Sequence, residues 1–108
     1  MTRTKIQTIT KEELQEKIED GDDFQLVNVL SPENYNLGFI EGSLKIPVDE
    51  LDEREHELDK SQEVIVYCAG YECNASRTAA EKLAAKGFNV CTYEGGIKEW
   101  KQADLPTE

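Results

Sequence analysis

Short apolar runs separated by turn residues pass along the whole chain, and the clearest is Val64-Ile65-Val66-Tyr67. Unbroken β-branched runs of this length are typical of strands that are buried on both faces. Leu26–Leu30 has the same character. Shorter runs at Ile6–Ile9, Leu44–Ile46 and Asn89–Tyr93 predict further strands. The pattern therefore predicts four or five strands spread over the chain.

Helical signals lie between these runs. Thr10 and Glu13 have the spacing of a capping box, in which each residue satisfies the backbone of the other. Leu14 and Ile18 share one face of the helix that follows, and Gly21 is suited to end it. A helix is thus predicted between the first two strands.

Further helices are predicted after each later strand. Ser31-Pro32 favours the start of a short helix. Asp49–Leu58 is predicted to be a weak helix whose buried contacts are Leu51 and Leu58. Ala75–Lys86 has a face of small residues that suits close packing on a sheet, and Ile97–Gln102 is a last short helix.

Strands that alternate with helices through short turns indicate a parallel sheet with helices on both faces. The predicted fold class is therefore α/β, with a four- or five-stranded, mainly parallel sheet. At 108 residues the whole chain, 1–108, is expected to be a single domain. Ligands of such sheets bind beyond the carboxyl ends of the strands, which is where Cys68 lies.

The net charge of −11 limits the kinds of molecule that the protein is expected to bind. The phosphates of nucleic acid and of anionic membranes attract basic surfaces, so neither is an expected partner. Met1–Gln7 has no apolar signal region, and no run approaches the length of a membrane span. We therefore expect a cytoplasmic protein whose protein partners are not strongly acidic, while its oligomeric state leaves no mark in the sequence.

Three cysteines and one histidine are the candidates for thiol or metal chemistry. Cys91 is interpreted as a small buried hydrophobe, and His56 lies in a solvated, charged segment. None of the usual spacings of Cys and His ligands is present, so no metal is expected. Cys68 and Cys73 remain, and both belong to the segment after the clearest strand.

The segment after Cys68 has the composition of an anion-binding loop: Ala69, Gly70, Tyr71, Glu72, Cys73, Asn74 and Ala75. A helix that starts near Asn74 or Ala75 offers unpaired N–H groups and the positive end of its dipole. Gly70 suits a tight curl of the backbone, and Asn74 is a good N-cap. Such surroundings lower the pKa of a cysteine and favour its nucleophilic thiolate.

The sequence resembles the rhodanese-homology family over nearly the whole chain. Leu26–Leu30, followed by Gly38–Pro47, is similar to the family's opening motif. Val64–Cys68 is similar to the strand that ends in the family's active-site cysteine, and Tyr93–Trp100 is similar to its closing motif. The resemblance implies a rhodanese-like three-layer fold and a sulfurtransferase-like module without metal or organic cofactor. Cys68 would accept sulfur from a small donor or a protein persulfide and pass it on.

The active-site loop departs from the family's usual pattern. It is longer, Glu72 adds a negative charge, and Ala75 stands where the family has an arginine. Arg77 is the remaining candidate for a cationic contact. Thiosulfate is therefore a doubtful donor, because a bound anion favours nearby arginine.

Three hypotheses remain open at this stage. The first is a sulfurtransferase or persulfide carrier that uses Cys68. The second is a catalytically inactive binding or regulatory module, since Asn28, Leu30, Phe39 and Ala75 stand where the family has charged residues. In the third, Cys73 is a resolving thiol and forms a reversible disulfide with Cys68.

Overall fold

The computed structural model describes residues 6–21, 23–70 and 74–107. Five strands form a sheet in the order β1-β5-β4-β2-β3, and every pairing between them is parallel. The strands are β1 (Gln7–Thr8), β2 (Phe24–Asn28), β3 (Leu44–Lys45), β4 (Glu63–Tyr67) and β5 (Val90–Tyr93). The predicted α/β class with a parallel sheet is confirmed.

The central strand is β4, which pairs with β5 on one side and β2 on the other. Its residues Val64 to Tyr67 have no solvent exposure. The unbroken run of β-branched residues therefore occupies the position that is covered on both faces, as the sequence pattern predicts.

Helices cover both faces of the sheet. They are α1 (Lys11–Asp20), α2 (Leu51–Arg54), α3 (Ala75–Ala85) and α4 (Gly96–Gln102). Lys82 and Lys86 of α3 both bind the Asp52 carboxylate of α2, at 3.0 and 3.1 Å, so these two helices lie side by side. Ile18 of α1 and Trp100 of α4 line a common cavity of about 250 Å³.

The start and end of α1 follow the predicted capping pattern. The Thr10 hydroxyl accepts from the Glu13 N–H, and the Glu13 carboxylate accepts from the Thr10 N–H. Gly21 ends the helix with a φ of +71°, in the left-handed region. Leu14 is fully buried, whereas Ile18 on the same face is 41% exposed and lines the cavity beside α4.

Two connections are irregular. Pro32–Leu37 is a 3₁₀ helix with its proline at the first turn. The weak helix predicted from Asp49 to Leu58 consists of two 3₁₀ turns, at Val48–Glu50 and Glu55–Glu57, on either side of α2. Its two predicted contacts, Leu51 and Leu58, are buried.

The core contains residues from every layer, and Trp100 and Tyr93 are among its largest members. Their rings meet edge to face with centroids 6.1 Å apart. The Trp100 indole N–H donates to the carbonyl of Pro106 at 2.8 Å, which fixes the chain beyond α4 against the domain. Within the described ranges, every helix is too short or too polar to cross a bilayer.

Candidate active site

Cys68 directly follows the central strand β4, at the carboxyl edge of the sheet. The residue is 1% exposed. The chain beyond it is described at Ala69, Gly70 and Asn74. Tyr71, Glu72 and Cys73, which the sequence analysis assigns to the anion-binding loop, lie outside the described residues. The position of Cys68 at the end of the central strand agrees with the sequence prediction.

The backbone of Cys68 is held by the first turn of α4. The Ile97 N–H donates to the Cys68 carbonyl at 3.0 Å, and the Lys98 N–H donates to the Ala69 carbonyl at 3.0 Å. These bonds satisfy two amides that the start of a helix would otherwise leave without a partner. The site is therefore built from two segments that are distant in sequence.

Gly96 makes this approach possible. Its φ is +64°, and a Cβ placed on it would lie 2.5 Å from the Cys68 carbonyl oxygen and 2.6 Å from the Ala69 carbonyl carbon. Both are backbone atoms, which cannot move aside as the end of a side chain can. In the sequence analysis, Gly95 and Gly96 belong only to the closing motif Tyr93–Trp100. The pair of glycines is the sequence feature that indicates this close approach. A glycine is needed at position 96 because the backbone of Cys68 lies so near.

Gly70 has a different role from the one predicted. Its φ lies outside the left-handed region, and a Cβ on it would make ordinary contacts, 3.5 Å from the Gly95 carbonyl oxygen and 3.6 Å from Lys98 Cδ. The expectation that the curl of the loop depends on the conformational freedom of Gly70 is therefore wrong at this residue. The loop does pass close to Lys98 at this residue.

The helix after the loop begins where the sequence predicts, at Ala75. Asn74 precedes it, but its backbone has helical angles (φ −91°, ψ −5°) and its side chain makes no capping hydrogen bond. An N-cap side chain reaches the next turn from an extended backbone, which Asn74 does not have. The predicted cap position is confirmed and the predicted side-chain cap is wrong.

Arg77 lies on the first turns of α3 and binds a carboxylate. Its Nη2 donates to Glu94 Oε2 at 3.2 Å, and its side chain is 67% exposed. Glu94 directly follows β5, so this ion pair lies at the same edge of the sheet as Cys68. The guanidinium is thus near the loop but already has an acidic partner.

The neighbouring strand β2 ends in a buried polar residue, Asn28. Its Oδ1 accepts from the Leu30 N–H at 2.9 Å, and within the described ranges its Nδ2 has no hydrogen-bond partner. A neutral amide therefore supports the turn at the position where the family's charged residue is expected. Leu30 is itself buried, as part of the core.

Tyr67, the residue before Cys68, anchors the segment after the first 3₁₀ helix. Its hydroxyl accepts from the Ile40 N–H at 2.9 Å and lies 2.6 Å from the Ser43 hydroxyl. Phe39 packs edge to face on Tyr35, and the Lys45 ammonium lies 4.4 Å from the centre of its ring. Phe39 thus contributes to packing at this position.

Cys91 has the surroundings of a structural cysteine. It is 6% exposed, and its thiol donates to a Glu63 carboxylate oxygen at 3.8 Å. Burial, together with the negative charge of Glu63, raises its pKa from 9.0 to about 12. The thiol is therefore protonated and unreactive at neutral pH. Among the residues that the structure describes, no group of three or more His, Cys, Asp and Glu side chains could hold a metal ion.

Comparison with known proteins adds independent information on this arrangement. Residues 10–103 match the family model of the rhodanese-like domain. A sulfurtransferase of Allochromatium vinosum is 28% identical over 94% of both chains. A rhodanese-related protein of Thermoplasma volcanium is 30% identical and superposes with a TM-score of 0.81, covering 94% of this chain and 97% of that one.

A third relative is longer than this chain. The HTH-type transcriptional regulator Rv0324 of Mycobacterium tuberculosis is 34% identical over 93% of the chain. The match spans only 44% of the regulator. The same domain is therefore similar both to a protein of its own length and to part of a larger protein.

Proposed function

The chain belongs to the rhodanese-like domain family, and from this we propose that it is a sulfurtransferase or sulfur carrier that acts through a persulfide on Cys68. The observation that carries the proposal is the position of Cys68 at the carboxyl end of the central strand, with its backbone fixed by α4. A nucleophile held in this way keeps its orientation through a two-step transfer.

The proposed reaction has two steps. The Cys68 thiolate attacks the outer sulfur of a donor such as thiosulfate, a new S–S bond forms on Sγ, and the S–S bond of the donor breaks so that its electron pair leaves with sulfite. A nucleophilic acceptor then attacks the outer sulfur of the persulfide, and Cys68 leaves as the thiolate. With a persulfide donor, the first leaving group is a thiolate instead of sulfite.

Mass spectrometry of the intact chain and its peptides tests the proposal. After incubation with thiosulfate, and separately with glutathione persulfide, we expect the mass of one added sulfur atom on the peptide that contains Cys68. Cyanide should remove this sulfur as thiocyanate. Cys68→Ala should abolish the adduct and Cys91→Ala should leave it unchanged. If neither donor gives an adduct on Cys68 in the unmodified protein, the proposed function is wrong.

A binding or regulatory module without catalysis is the second candidate. The 1% exposure of Cys68 and the neutral residues Asn28 and Leu30 favour it. The pH dependence of alkylation by iodoacetamide separates the two candidates. Rapid alkylation of Cys68 at pH 6 supports catalysis, whereas a thiol that reacts only near its ordinary pKa of about 8.5 supports binding.

Disulfide exchange between Cys68 and Cys73 is the third candidate, and it rests on their proximity in sequence. It predicts the reversible loss of two thiols under a mild oxidant, counted with a thiol reagent in the denatured chain. Retention of all three thiols excludes it. Cys73→Ser is the matched control, since it should prevent the loss without affecting the persulfide reaction.

A further inference from the structure

Any anionic sulfur donor that reaches Cys68 needs positive charge nearby. The position where the family has an arginine holds no cation in this chain. Ala75 begins the helix after the loop, and Arg77 is engaged with Glu94 at 3.2 Å. The net charge of −11 makes the molecule as a whole repel anions. A cation from another part of the fold would remove this difficulty.

Lys98 of α4 is next to the loop. Its N–H donates to the Ala69 carbonyl at 3.0 Å, and its Cδ lies 3.6 Å from the place where a Cβ of Gly70 would be. The stem of the side chain therefore packs along the loop residues that follow Cys68. The ammonium is two bonds beyond Cδ, and Lys98 is an exposed residue.

Lys98 also differs from the other described cations. Each of them contacts a carboxylate, a carbonyl oxygen or an aromatic ring, and they are Lys11, Lys17, Lys45, Arg54, Lys60, Arg77, Lys82, Lys86 and Lys101. Within residues 6–21, 23–70 and 74–107, the ammonium of Lys98 has no such partner. A neighbouring anion would therefore meet a charge that no described side chain neutralises.

Its place on the helix gives no other reason for a cation. Lys98 is in the first turn of α4, where the helix dipole favours negative charge and disfavours positive charge. A lysine here slightly destabilises the helix. The stabilising role that lysines have in the last turn of a helix is thus excluded for Lys98.

We propose that Lys98 is a specificity-determining residue that binds the anionic end of the sulfur donor at Cys68, in place of an arginine on the helix after the loop. The identity of the substrate rests on the proposed function, whereas the placement of the positive charge rests on the position of Lys98 beside the loop. Lys98 neutralises part of the negative charge of the donor and of the departing sulfite or thiolate. It transfers no proton, and the bond changes at sulfur are those given above. On this proposal anionic donors are the favoured substrates, and the expectation from the sequence that thiosulfate is a doubtful donor is reversed.

The electrostatic role of Lys98 can be tested without sulfur transfer. The test uses two alkylating reagents that react with thiolates in the same way but differ in charge. Iodoacetate and iodoacetamide attack the same thiolate, so the ratio of their rate constants at Cys68 does not depend on the pKa of Cys68. Lys98→Gln should lower the ratio of iodoacetate to iodoacetamide about three- to tenfold at low ionic strength, and salt should reduce this difference. Peptide mass spectrometry assigns the alkylation to Cys68.

Lys98→Arg should restore the ratio. Lys60→Gln is the matched control, because it changes the net charge equally but Lys60 lies before β4, at the opposite edge of the sheet, over the ring of Phe88. In sulfur transfer, Lys98→Gln should reduce kcat/KM for thiosulfate about tenfold, mainly through KM, as expected for the loss of one charge-assisted hydrogen bond.

The outcomes separate the two proposals. If the unmodified protein transfers sulfur and Lys98→Gln changes neither the reagent ratio nor kcat/KM, the role of Lys98 is refuted while the proposed function stands. If the ratio falls in Lys98→Gln but no donor modifies Cys68, anion recognition by Lys98 stands and sulfur transfer is refuted. An equal effect of Lys60→Gln would also refute the proposal, since the effect would then be one of net charge.

Discussion

Gly96 and Cys68 are in backbone contact: a Cβ on Gly96 would lie 2.5 Å from the Cys68 carbonyl oxygen. The contact joins the start of α4 to the end of β4, and two neighbouring hydrogen bonds, from Ile97 and Lys98, depend on it. The candidate nucleophile is therefore positioned by a residue that has no side chain.

Gly96→Ala should destabilise the protein more than the backbone angle alone requires. A non-glycine residue in the left-handed region costs about 1–2 kcal/mol, and crowding against the fixed backbone adds about 1–3 kcal/mol. Gly21→Ala is the control, since Gly21 has a similar φ of +71° and nothing within 4 Å of its Cβ position. Urea unfolding measures both. Equal losses would show that the chain at Cys68 yields to the extra atom.

Tyr67→Phe should reduce the free energy of unfolding by about 1–3 kcal/mol, because the buried Ile40 N–H loses its acceptor. Tyr35→Phe removes the same atom from a hydroxyl that makes no hydrogen bond to the described residues, and should change stability by less than about 0.5 kcal/mol. A double-mutant cycle with Ser43→Ala measures the coupling of the two hydroxyls. If the losses of stability in the two single variants simply add in the double variant, the hydrogen bond between the Tyr67 and Ser43 hydroxyls at 2.6 Å would be contradicted.

Stability should fall above pH 9 in a way that depends on Cys91. Its folded pKa of about 12 exceeds the ordinary value of 9.0, so the unfolded thiol ionises first as the pH rises. The stabilisation is complete below pH 9 and is lost towards pH 12, by up to about 1.4 kcal/mol per pH unit. Urea unfolding at pH 8 and pH 10.5 should show a smaller change for Cys91→Ala. The same change in both proteins would mean that Cys91 is not the titrating group.

Arg77 remains a predicted cationic contact, and its ion pair limits the effect we expect from it. Because the guanidinium is exposed and held by Glu94, Arg77→Gln should lower kcat/KM for thiosulfate less than about threefold. Glu94→Gln should raise kcat/KM, since it releases Arg77 and removes a negative charge. A tenfold loss in Arg77→Gln would instead make Arg77 the main anion contact.

The elements that local pattern determines were predicted well from the sequence. The β-branched run of β4, the capping box of Thr10 and Glu13, and the small-residue face of α3 each act over a few residues, so the chain itself contains the information. The failures at Asn74 and Gly70 concern backbone angles. These depend on how the loop meets α4, which no local pattern records.

Lys98 shows the same limit for the site. In sequence it is one lysine among twelve cationic residues, within a motif whose glycines and tryptophan attract attention first. Only the approach of α4 to Ala69 places it beside the candidate nucleophile. Residues that come together across different strands are recognised from a structure, while residues within one turn are recognised from the sequence.

The dependence of Cys68 on the turn at Gly96 also has a consequence for synthesis. A ribosome makes the chain from its amino end, so Cys68 emerges well before the residues that hold its carbonyl. Until β5 has paired and α4 has docked, the thiol lacks the surroundings of the finished site. The backbone around Cys68 can therefore reach its final arrangement only after most of the domain has been made.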